Sequence, residues 1–360
     1  MRVPRLGQKA FVSIAILLAV VVCASSLATA ASYKPAFLTA DQAGVAPFTD
    51  PNLINPWGIS FSSTGPFWVA NNNSGTSTIY DGTGKPQSLV VTIPAVGGAT
   101  SGTPTGTVFN GTTGFVVSKN GKSAPAPFLF DSEDGSITGW SPTVDATNAV
   151  VAVDNSGVNA VYKAMELANN GTGDFLYVCN FFSAKIEVYN SNFVQVNLAG
   201  SFTDPNLPAG FAPHNIRNIG GQLWVVYAKQ NATKTDAVFG PGLGLVDIFD
   251  LNGNLIKRFT SRGRLNAPWG LALAPATFGT FANDILIGNL GDGKITAYDP
   301  VTKLPKGQLS NAGGGAIVLK GLWALTFGNG GSGGSKDVLY FTSGPGAYAH
   351  GRFGSITFVP

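Results

Sequence analysis

Four oxygen-bearing side chains follow short apolar runs and could together bind a metal ion. They are Asn71, Asp131, Asn180 and Asn289. The three asparagines lie 109 residues apart, which suggests that a repeated structure presents them equivalently. Amide and carboxylate oxygens are the ligands that a hard cation such as Ca²⁺ prefers, although a single carboxylate would give a weak site. The alternative is that each side chain satisfies the backbone of its own turn.

Histidine is the second source of possible chemistry, and the chain has two of them. His214 opens an apolar run and is the best candidate for a general base. His350 lies in the loop that leads to the last strand and could reach the same face, where it is a candidate ligand-binding residue together with Trp57, Trp269 and Trp323. A structural, hydrogen-bonded histidine is the alternative for His214. The sequence has no Ser-His-Asp order, HExxH, Walker loop or CxxC pair, so it does not indicate nucleophilic or zinc chemistry.

Three tryptophans also open apolar runs, at Trp57, Trp269 and Trp323. Aromatic rings at the entrance of a cavity can stack on a carbohydrate, and large rings can also wedge between neighbouring sheets. Both interpretations are open at the level of sequence.

The elements that must position these residues are repeats. One sequence motif recurs with variation at 55–59, 212–216, 267–271 and 321–325. Weaker copies of it occur at 104–108 and 162–166. A period of about 50 residues is typical of β-propellers. Most repeats hold four short β-rich runs separated by Gly, Asn or Asp. The sequence therefore predicts an all-β, six-bladed propeller with four antiparallel strands in each blade.

The two ends of the chain are predicted to close the ring. The last repeat has three runs, ending at 355–359, whereas an unassigned strand is predicted at 33–39. We expect this N-terminal strand to complete blade six and to protect the sheet edges. In addition, the hexapeptide at 48–53 returns letter for letter at 202–207, three blades later.

The propeller geometry predicts where the candidate residues meet. The innermost strand of each blade begins on the face where the second strand ends, so both points surround the mouth of the central channel. We therefore expect the histidines, the tryptophans and the four metal candidates near this mouth. The segment 229–242 is the longest loop there and is predicted to contact a partner. The glycine-rich segment 328–335 is predicted to be a flexible surface loop.

The N-terminal 30 residues have the features of a signal peptide. Basic residues precede an apolar stretch over 10–22, and small residues at 28–30 form a cleavage site. Lipidation at Cys23 is disfavoured because Val22 is too large for that processing. The apolar run is also too short to span a bilayer comfortably, so we expect no membrane span after cleavage. The expected product is one exported domain, residues 31–360, located in the periplasm or outside the cell.

Charge and cysteine content limit the function classes. The formal net charge is +3, and removal of the signal peptide leaves 19 basic and 19 acidic residues. A balanced surface lacks the basic stripe that nucleic acid requires. Cys179 is the one thiol beyond the signal peptide, which precludes an intramolecular disulfide and predicts a small buried hydrophobe. We expect a monomer.

Three segments together resemble a known family. The segments 50–58, 244–254 and 350–356 are similar to an uncharacterised family of secreted bacterial propellers related to NHL-repeat proteins. Some members carry a PEP-CTERM sorting tail, which this sequence lacks, so anchoring by that route is not expected. The resemblance implies the fold and export but no established activity. The Asn/Asp mouth is more distantly similar to the calcium sites of gluconolactonase and paraoxonase propellers, which also use an acid at an inner-strand start; no such acid occurs here.

Three functions are compatible with the sequence. The first is a binding or interaction module at the cell envelope, for a protein or a small-molecule or carbohydrate ligand. The second is a Ca²⁺-dependent lactonase or esterase in which the four metal candidates hold the ion and His214 activates water. The third is a structural envelope protein that needs no chemistry at the mouth. The absence of the additional acid favours the first over the enzyme.

Overall fold

The computed structural model describes residue 1 and residues 32–360, which form 27 strands and two single-turn 3₁₀ helices. The predicted signal peptide lies almost entirely outside the described residues. Within residues 32–360, no helix is long and apolar enough to cross a membrane. The strands and helices are β1 (Ser32–Ala40), β2 (Phe48–Thr49), β3 (Pro56–Ser60), β4 (Phe67–Asn71), β5 (Thr76–Tyr80), β6 (Pro86–Thr92), β7 (Pro104–Phe109), β8 (Val116–Lys119), β9 (Lys122–Pro125), β10 (Phe128–Ser132), β11 (Ser136–Trp140), β12 (Val150–Asp154), α1 (Ser156–Val158), β13 (Tyr162–Asn169), β14 (Asp174–Asn180), β15 (Lys185–Asn190), β16 (Gln195–Val196), β17 (Phe211–Ile219), β18 (Gln222–Lys229), β19 (Gly244–Phe249), β20 (Leu255–Ser261), β21 (Pro268–Leu273), α2 (Gly279–Phe281), β22 (Ile285–Asn289), β23 (Ile295–Tyr298), β24 (Pro305–Gln308), β25 (Leu322–Phe327), β26 (Leu339–Ser343) and β27 (Arg352–Val359).

Six antiparallel sheets form the blades of the propeller, as predicted. Blades one to five are β3-β4-β5-β6, β7-β10-β11-β12, β13-β14-β15-β16, β17-β18-β19-β20 and β21-β22-β23-β24, each given from the innermost strand outwards. Blade two carries an additional hairpin, β8-β9, between its first and second strands. The repeat pattern did not predict this insertion.

Blade six is built from both ends of the described chain. Its order is β25-β26-β27-β1, with the two-residue β2 pairing parallel with β1 at the outer edge. Strand β1 pairs antiparallel with β27 from Ser32 opposite Val359 to Ala40 opposite Arg352. The prediction that the N-terminal strand closes the ring is therefore confirmed. This closure covers the edge of the last sheet, which would otherwise be free to pair with another chain.

The hydrophobic core lies between neighbouring blades rather than inside any one blade. Strand side chains alternate between two faces, so each sheet contributes to two such layers. Between blades one and two, for example, Trp68 stacks on Phe128 with ring centroids 4.0 Å apart. Cys179 is fully buried in the layer between blades three and four. Shared layers of this kind explain why the described chain needs no second domain.

The glycine-rich segment 328–335 packs against blade one. The Asn329 side-chain amide donates hydrogen bonds to the carbonyls of Ser62 and Gly65, at 2.9 and 2.8 Å. A Cβ atom at Gly331 would lie 2.5 Å from the carbonyl oxygen of Thr64, so the close approach requires glycine. The composition of this segment therefore permits contact between blades six and one, rather than simply providing a surface loop.

Candidate functional site

Three tryptophans fill the channel where the inner strands begin. Trp57 and Trp323 stack with centroids 3.5 Å apart, and Trp269 meets both rings edge-on at 6.3 and 5.9 Å. All three side chains are buried, although two of them also border the cavity described next. Further along the same strands the channel holds a void of about 10 Å³. The tryptophans therefore form a floor across the channel.

A cavity of about 430 Å³ lies above this floor, at the mouth of the channel. Trp57, Trp323 and His214 line its base. Its volume falls within the range of about 300–1,000 Å³ typical of small-molecule sites. The predicted position of these three residues at the mouth matches the structure. Trp269, by contrast, is part of the tryptophan floor but does not line the cavity.

Two loops cover part of the cavity. The loop at 230–243, after β18, contributes Phe239, and the loop at 344–351, after β26, contributes Tyr348. The Tyr348 ring lies 5.9 Å from the Trp323 ring. Ala347 and Tyr348 have φ angles of 55° and 69°, an uncommon left-handed conformation for residues with side chains. The structure therefore places the long loop predicted from sequence over the mouth cavity.

His214 is a neutral hydrogen-bond acceptor at the base of the cavity. Its Nδ1 lies 2.8 Å from the Pro268 carbonyl oxygen. A carbonyl can only accept, so Nδ1 carries the proton and Nε2 keeps its lone pair. Burial lowers the pKa of His214 to about 3, and the nearby Lys163 ammonium lowers it further, against the opposing effect of the Pro268 hydrogen bond. The imidazole is consequently uncharged at neutral pH.

Lys163 is the one cation that lines the cavity, and it is already paired. Its side chain is 1% exposed; it forms an ion pair with Glu133 and lies 3.5 Å from an Asp236 carboxylate oxygen. Its ammonium also lies 5.1 Å from the centre of the Trp57 ring, within the range of a cation–π interaction. With His214 neutral, the cavity lining carries a net charge of −1 when both carboxylates are ionised.

A chain of hydrogen bonds connects the tryptophan floor to this ion pair. The Trp323 indole N–H donates to Asn55 at 3.0 Å, Asn55 donates to Asn72 at 3.3 Å, and Asn72 donates to Glu133 at 3.0 Å. The Trp57 indole nitrogen differs, because it is buried and has no hydrogen-bond partner in the described part of the chain. Buried donors are seldom left unpaired, so the Trp57 indole N–H is an unsatisfied donor within the cavity floor.

The asparagines predicted to bind metal do not line the cavity. The Asn180 side-chain oxygen accepts from the backbone N–H of Ser183 at 3.2 Å, and that of Asn289 accepts from Asn266 at 3.1 Å. The Asn71 side-chain amide donates to Thr78 at 2.9 Å. Each side chain thus finds these partners within its own blade, as the structural alternative requires.

Asp131 does not occupy the same register as the asparagines. Ser132, not Asp131, pairs with the first residue of its inner strand, as Asn71, Asn180 and Asn289 do in theirs. A shift of one residue turns a strand side chain to the opposite face. The Asp131 carboxylate instead accepts from the Gly106 N–H at 2.6 Å, and burial raises its pKa to about 7. Asp131 therefore does not share the register of the three asparagines.

The proposed metal centre stays a prediction. Over residues 32–360, no group of three or more His, Cys, Asp or Glu side chains is arranged to hold an ion. Two of the predicted ligands nevertheless have a buried oxygen with no hydrogen-bond partner in the described residues, namely Oδ1 of Asn71 and Oδ2 of Asp131.

His350 lies away from the cavity lining. Its Nδ1 is 2.8 Å from an Asp41 carboxylate oxygen, and the neighbouring Gly351 N–H donates to the same carboxylate at 3.0 Å. Asp41 directly follows β1, so this contact ties the 344–351 loop to the closing strand. The proposed ligand-binding role of His350 stays a prediction.

Sequence reasoning missed the residues that surround the mouth one position beyond the second strands. Asn72, Glu133 and Leu290 line the cavity. The backbone N–H of each donates to a carbonyl just before the inner strand of its blade, at distances of 3.1 Å in all three cases. This repeated turn directs the side chains of Asn72, Glu133 and Leu290 towards the channel axis. The signal was present as the residue after each strand end. The ends at Asn71, Asn180 and Asn289 were placed correctly and only Asp131 was one residue too early, but the candidates were restricted to the strand ends themselves.

The fold and the cavity define a six-bladed β-propeller with a ligand-sized cavity at its channel mouth. No family model matches the sequence. Two uncharacterised proteins of Acanthamoeba polyphaga mimivirus are similar, one 34% identical over 301 residues, covering 82% of this chain and 73% of the relative. The other is 35% identical over 277 residues, covering 75% and 72%. The chain belongs to the family of these proteins. Because both relatives are viral, the bacterial part of the predicted resemblance is not supported.

One solved structure is similar over nearly the whole chain. Virginiamycin B lyase from Staphylococcus aureus superimposes with a TM-score of 0.51 and 12% identity, covering 91% of this chain and 100% of the lyase. Similarity at this level of identity supports the propeller fold alone.

Proposed function

We propose that this propeller is an exported binding module whose mouth cavity takes a small, polar, neutral or cationic ligand. The observation that carries the proposal is a ligand-sized cavity with a lone-pair acceptor at its base, His214 Nε2, and an unpaired donor, the Trp57 indole N–H, buried within its floor. A ligand hydroxyl can both accept from an N–H and donate to a lone pair.

The electrostatics of the cavity favour this ligand class over an anion. Glu133 and Asp236 outnumber Lys163 among the charged residues of the lining. Burial, with a further contribution from the two carboxylates, raises the pKa of Tyr348 to about 12. The same negative field would oppose a ligand carboxylate or phosphate. Aromatic faces next to amide side chains suit a carbohydrate, which combines apolar C–H faces with hydroxyl groups.

The arrangement of His214 favours binding over hydrolysis. General-base catalysis works best when the pKa lies near the operating pH, whereas that of His214 is about 3. Its Nδ1 partner is the Pro268 carbonyl rather than a carboxylate, so no directly bonded negative charge would stabilise an imidazolium ion. Glu133 is occupied by Lys163 and Asn72.

A ligand panel with a cavity-filling variant tests the proposal. Thermal shift and calorimetry with neutral monosaccharides, primary amines and carboxylates should show binding within the first two groups and none among carboxylates. Ala237→Trp, which fills the mouth, should abolish that binding. Val238→Trp is the matched control, because Val238 is the adjacent exposed residue and does not line the cavity. Carboxylate-only binding, or equal binding by both variants, would contradict the proposal.

A calcium-dependent lactonase or esterase is the second candidate. The unpaired oxygens of Asn71 and Asp131 are the observation that favours it. The melting temperature of the protein should then rise with Ca²⁺ and fall on chelation, and Asp131→Asn should remove the response while preserving the hydrogen bond from Gly106. No response to either treatment would exclude the metal-dependent enzyme without affecting the binding proposal.

A further inference from the structure

Blade three has an incomplete outermost strand. Its fourth strand, β16, has 2 residues, whereas the corresponding strands β6, β12, β20, β24 and β1 have between 4 and 9. Consequently β16 pairs with β15 only at Val188 and Tyr189. The first three residues of β15, 185–187, have no fourth-strand partner.

The equivalent positions in blade four are covered. There the third strand pairs with the fourth through to its first residues, with Leu245 opposite Ser261 and Val246 opposite Thr260. Blade one is covered to the same point, where Thr76 pairs with Thr92. The gap in blade three is therefore a local departure from the repeat.

Ile186 presents its backbone hydrogen-bonding groups to this gap. In an antiparallel ladder, the backbone groups of successive residues point alternately to the two neighbours. The Asn190 N–H donates to the Val194 carbonyl on the β16 side at 3.0 Å, which places the backbone groups of Val188 and Ile186 on that side as well. In blade five the corresponding carbonyl, of Ile295, accepts from Leu309 at 3.0 Å. No such bond to Ile186 occurs in the described part of the chain.

A cleft of about 580 Å³ borders the uncovered edge. Its opposite wall is the connection from blade three to blade four, including Ser201 and Phe202. This connection is held away from β15 because the N–H groups of Gly200 and Phe202 donate to the carbonyls of Asn252 and Gly253 in blade four, at 2.8 and 2.9 Å. The gap is therefore open space beside a strand edge rather than a gap filled by side chains.

The cleft is weakly acidic and contains an available hydroxyl. Its charged lining residues are Lys185, Glu187 and Asp204, with a net charge of −1 when ionised. Behind them, Arg258 pairs with both Asp204 and Asp247. Arg258 and Asp247 have opposite charges, so including them leaves the net charge of the cleft at −1. Tyr227 lines the cleft and is 2% exposed, and its hydroxyl has no hydrogen-bond partner among residues 32–360.

We propose that an extended peptide segment of neutral to basic sequence binds in this cleft and completes blade three as an added strand. Strand addition obtains its affinity from backbone hydrogen bonds to a free edge and its selectivity from side-chain pockets beside it. Ile186 supplies the free edge, and the acidic cleft with Tyr227 supplies the pocket. The alternative is an edge that the charge of Lys185 protects against pairing.

A peptide with the sequence of residues 257–262, blocked at both ends and fluorescently labelled, is a direct probe. These residues include the end of the fourth strand of blade four, and they carry three basic and two hydroxyl side chains, which suit an acidic polar cleft. Fluorescence anisotropy should show saturable binding. Methylation of alternate backbone nitrogens on the pairing edge should weaken it by about tenfold or more, since each lost bond to a strand edge is worth about 1 kcal/mol.

Two protein variants locate the binding. Ser201→Trp should abolish binding because it fills the cleft from an exposed position, whereas Asn192→Trp, at the exposed turn between β15 and β16, should leave it unchanged. In the complex, the Ile186 amide should exchange more slowly with solvent. The proposal is overturned if the peptide fails to bind at millimolar concentration, if its methylated form binds equally, or if Ser201→Trp has no effect. Mouth-cavity variants should not alter this binding, so the two proposals fail separately.

Discussion

The same hexapeptide occurs at two positions in this ring and meets two different environments. Residues 48–53 lead from blade six to blade one, and residues 202–207 lead from blade three to blade four. The local turn is the same in both. The Asn52 N–H donates to the Asp50 side chain at 2.9 Å, and the Asn206 N–H donates to the Asp204 side chain at 2.8 Å.

The partners of the two aspartates differ. The Asp50 carboxylate accepts a hydrogen bond from the Tyr80 hydroxyl at 2.7 Å. In blade four, the position equivalent to Tyr80 is occupied by Phe249, which has no hydroxyl. There Asp204 is held instead by Arg258, which also pairs with the buried Asp247. One linker is thus anchored by a neutral hydroxyl and the other by a cation shared between two acids.

The neighbouring blades differ as well. Beside the first linker, β1 covers β27 over its full length, and Phe353 fills the adjoining layer against Tyr80. Beside the second, the short β16 leaves the open cleft, and Ile186 occupies the position equivalent to Phe353. The same hexapeptide therefore lies beside a fully paired sheet edge at one junction and beside an open cleft at the other. The difference arises because the strand that pairs with the neighbouring sheet edge comes from a distant part of the sequence.

The largest expected effect is the loss of the shared cation. Arg258→Met leaves Asp204 and Asp247 buried without a cationic partner, with side chains 3% and 0% exposed. Breaking a buried ion pair in this way costs about 3–5 kcal/mol of unfolding free energy. Denaturant unfolding measures it, with Lys119→Met as control, since the exposed Lys119–Asp145 pair should contribute at most about 1 kcal/mol. Equal effects of the two substitutions would contradict the assignment.

The hydrogen bond from Tyr80 to Asp50 in the first linker should contribute less to the unfolding free energy than Arg258 contributes in the second linker. Tyr80→Phe removes the donor to Asp50 and leaves a buried carboxylate oxygen unsatisfied, at a cost of about 1–3 kcal/mol. Tyr340→Phe is the comparison, because its hydroxyl donates to the Gly82 carbonyl at 3.0 Å and should cost about 0.5–1.5 kcal/mol. If Tyr80→Phe destabilises the protein as much as Arg258→Met, the distinction between the two anchors is lost.

The second linker should give stability a pH dependence. Burial raises the pKa of Asp247 from its usual value of 3.8 to about 6, despite the opposing effect of Arg258. Between about pH 4 and pH 6 the folded protein therefore binds more protons than the unfolded chain, and stability falls as pH rises.

Asp247→Asn tests this pH dependence. The variant should lose a slope of up to about 1.4 kcal/mol per pH unit in that window, measured by urea unfolding at several pH values. Asp131→Asn is the parallel variant. Because the pKa of Asp131 is raised to about 7, the change in the pH dependence of stability should extend to about pH 7. An unchanged slope in Asp247→Asn would show that the carboxyl does not titrate in this range.

The smallest effect concerns the strand edges themselves and leaves global stability unchanged. The Ile186 amide should exchange with solvent about tenfold faster or more than that of Val246, because Val246 pairs with Thr260 and Ile186 faces the cleft. Residue-resolved hydrogen exchange of the free protein measures this difference. Comparable protection at both amides would mean that the blade-three edge is already covered.

Much of the fold could be predicted from the sequence because it depends on local patterns. The recurring motif at the inner strands located all six blades. The predicted strand at 33–39, which belonged to no repeat, indicated how the ring closes. The site was predicted less well. Trp57, Trp323 and His214 line the mouth cavity, but Asp131 was placed one residue out of register.

The misplacement of Asp131 has a physical cause. Strand β10 continues one residue beyond Asp131, to Ser132, and a difference of one residue changes which side chain faces the channel without changing the apolar pattern. Glu133, one residue beyond the strand, is the acidic group that blade two contributes to the cavity. The cleft beside β15 was not predicted, because a missing strand segment leaves no positive signal in a repeat.

The sequence by itself determined the repeat, the number of blades and the turn at each hexapeptide, since these depend on side-chain alternation and on hydrogen bonds between close neighbours. Only the tertiary structure decided the protonation site of His214, the pairing of Lys163 and the partner of each linker aspartate. Those properties depend on burial and on charges brought together from separate blades, which no segment of the chain specifies alone.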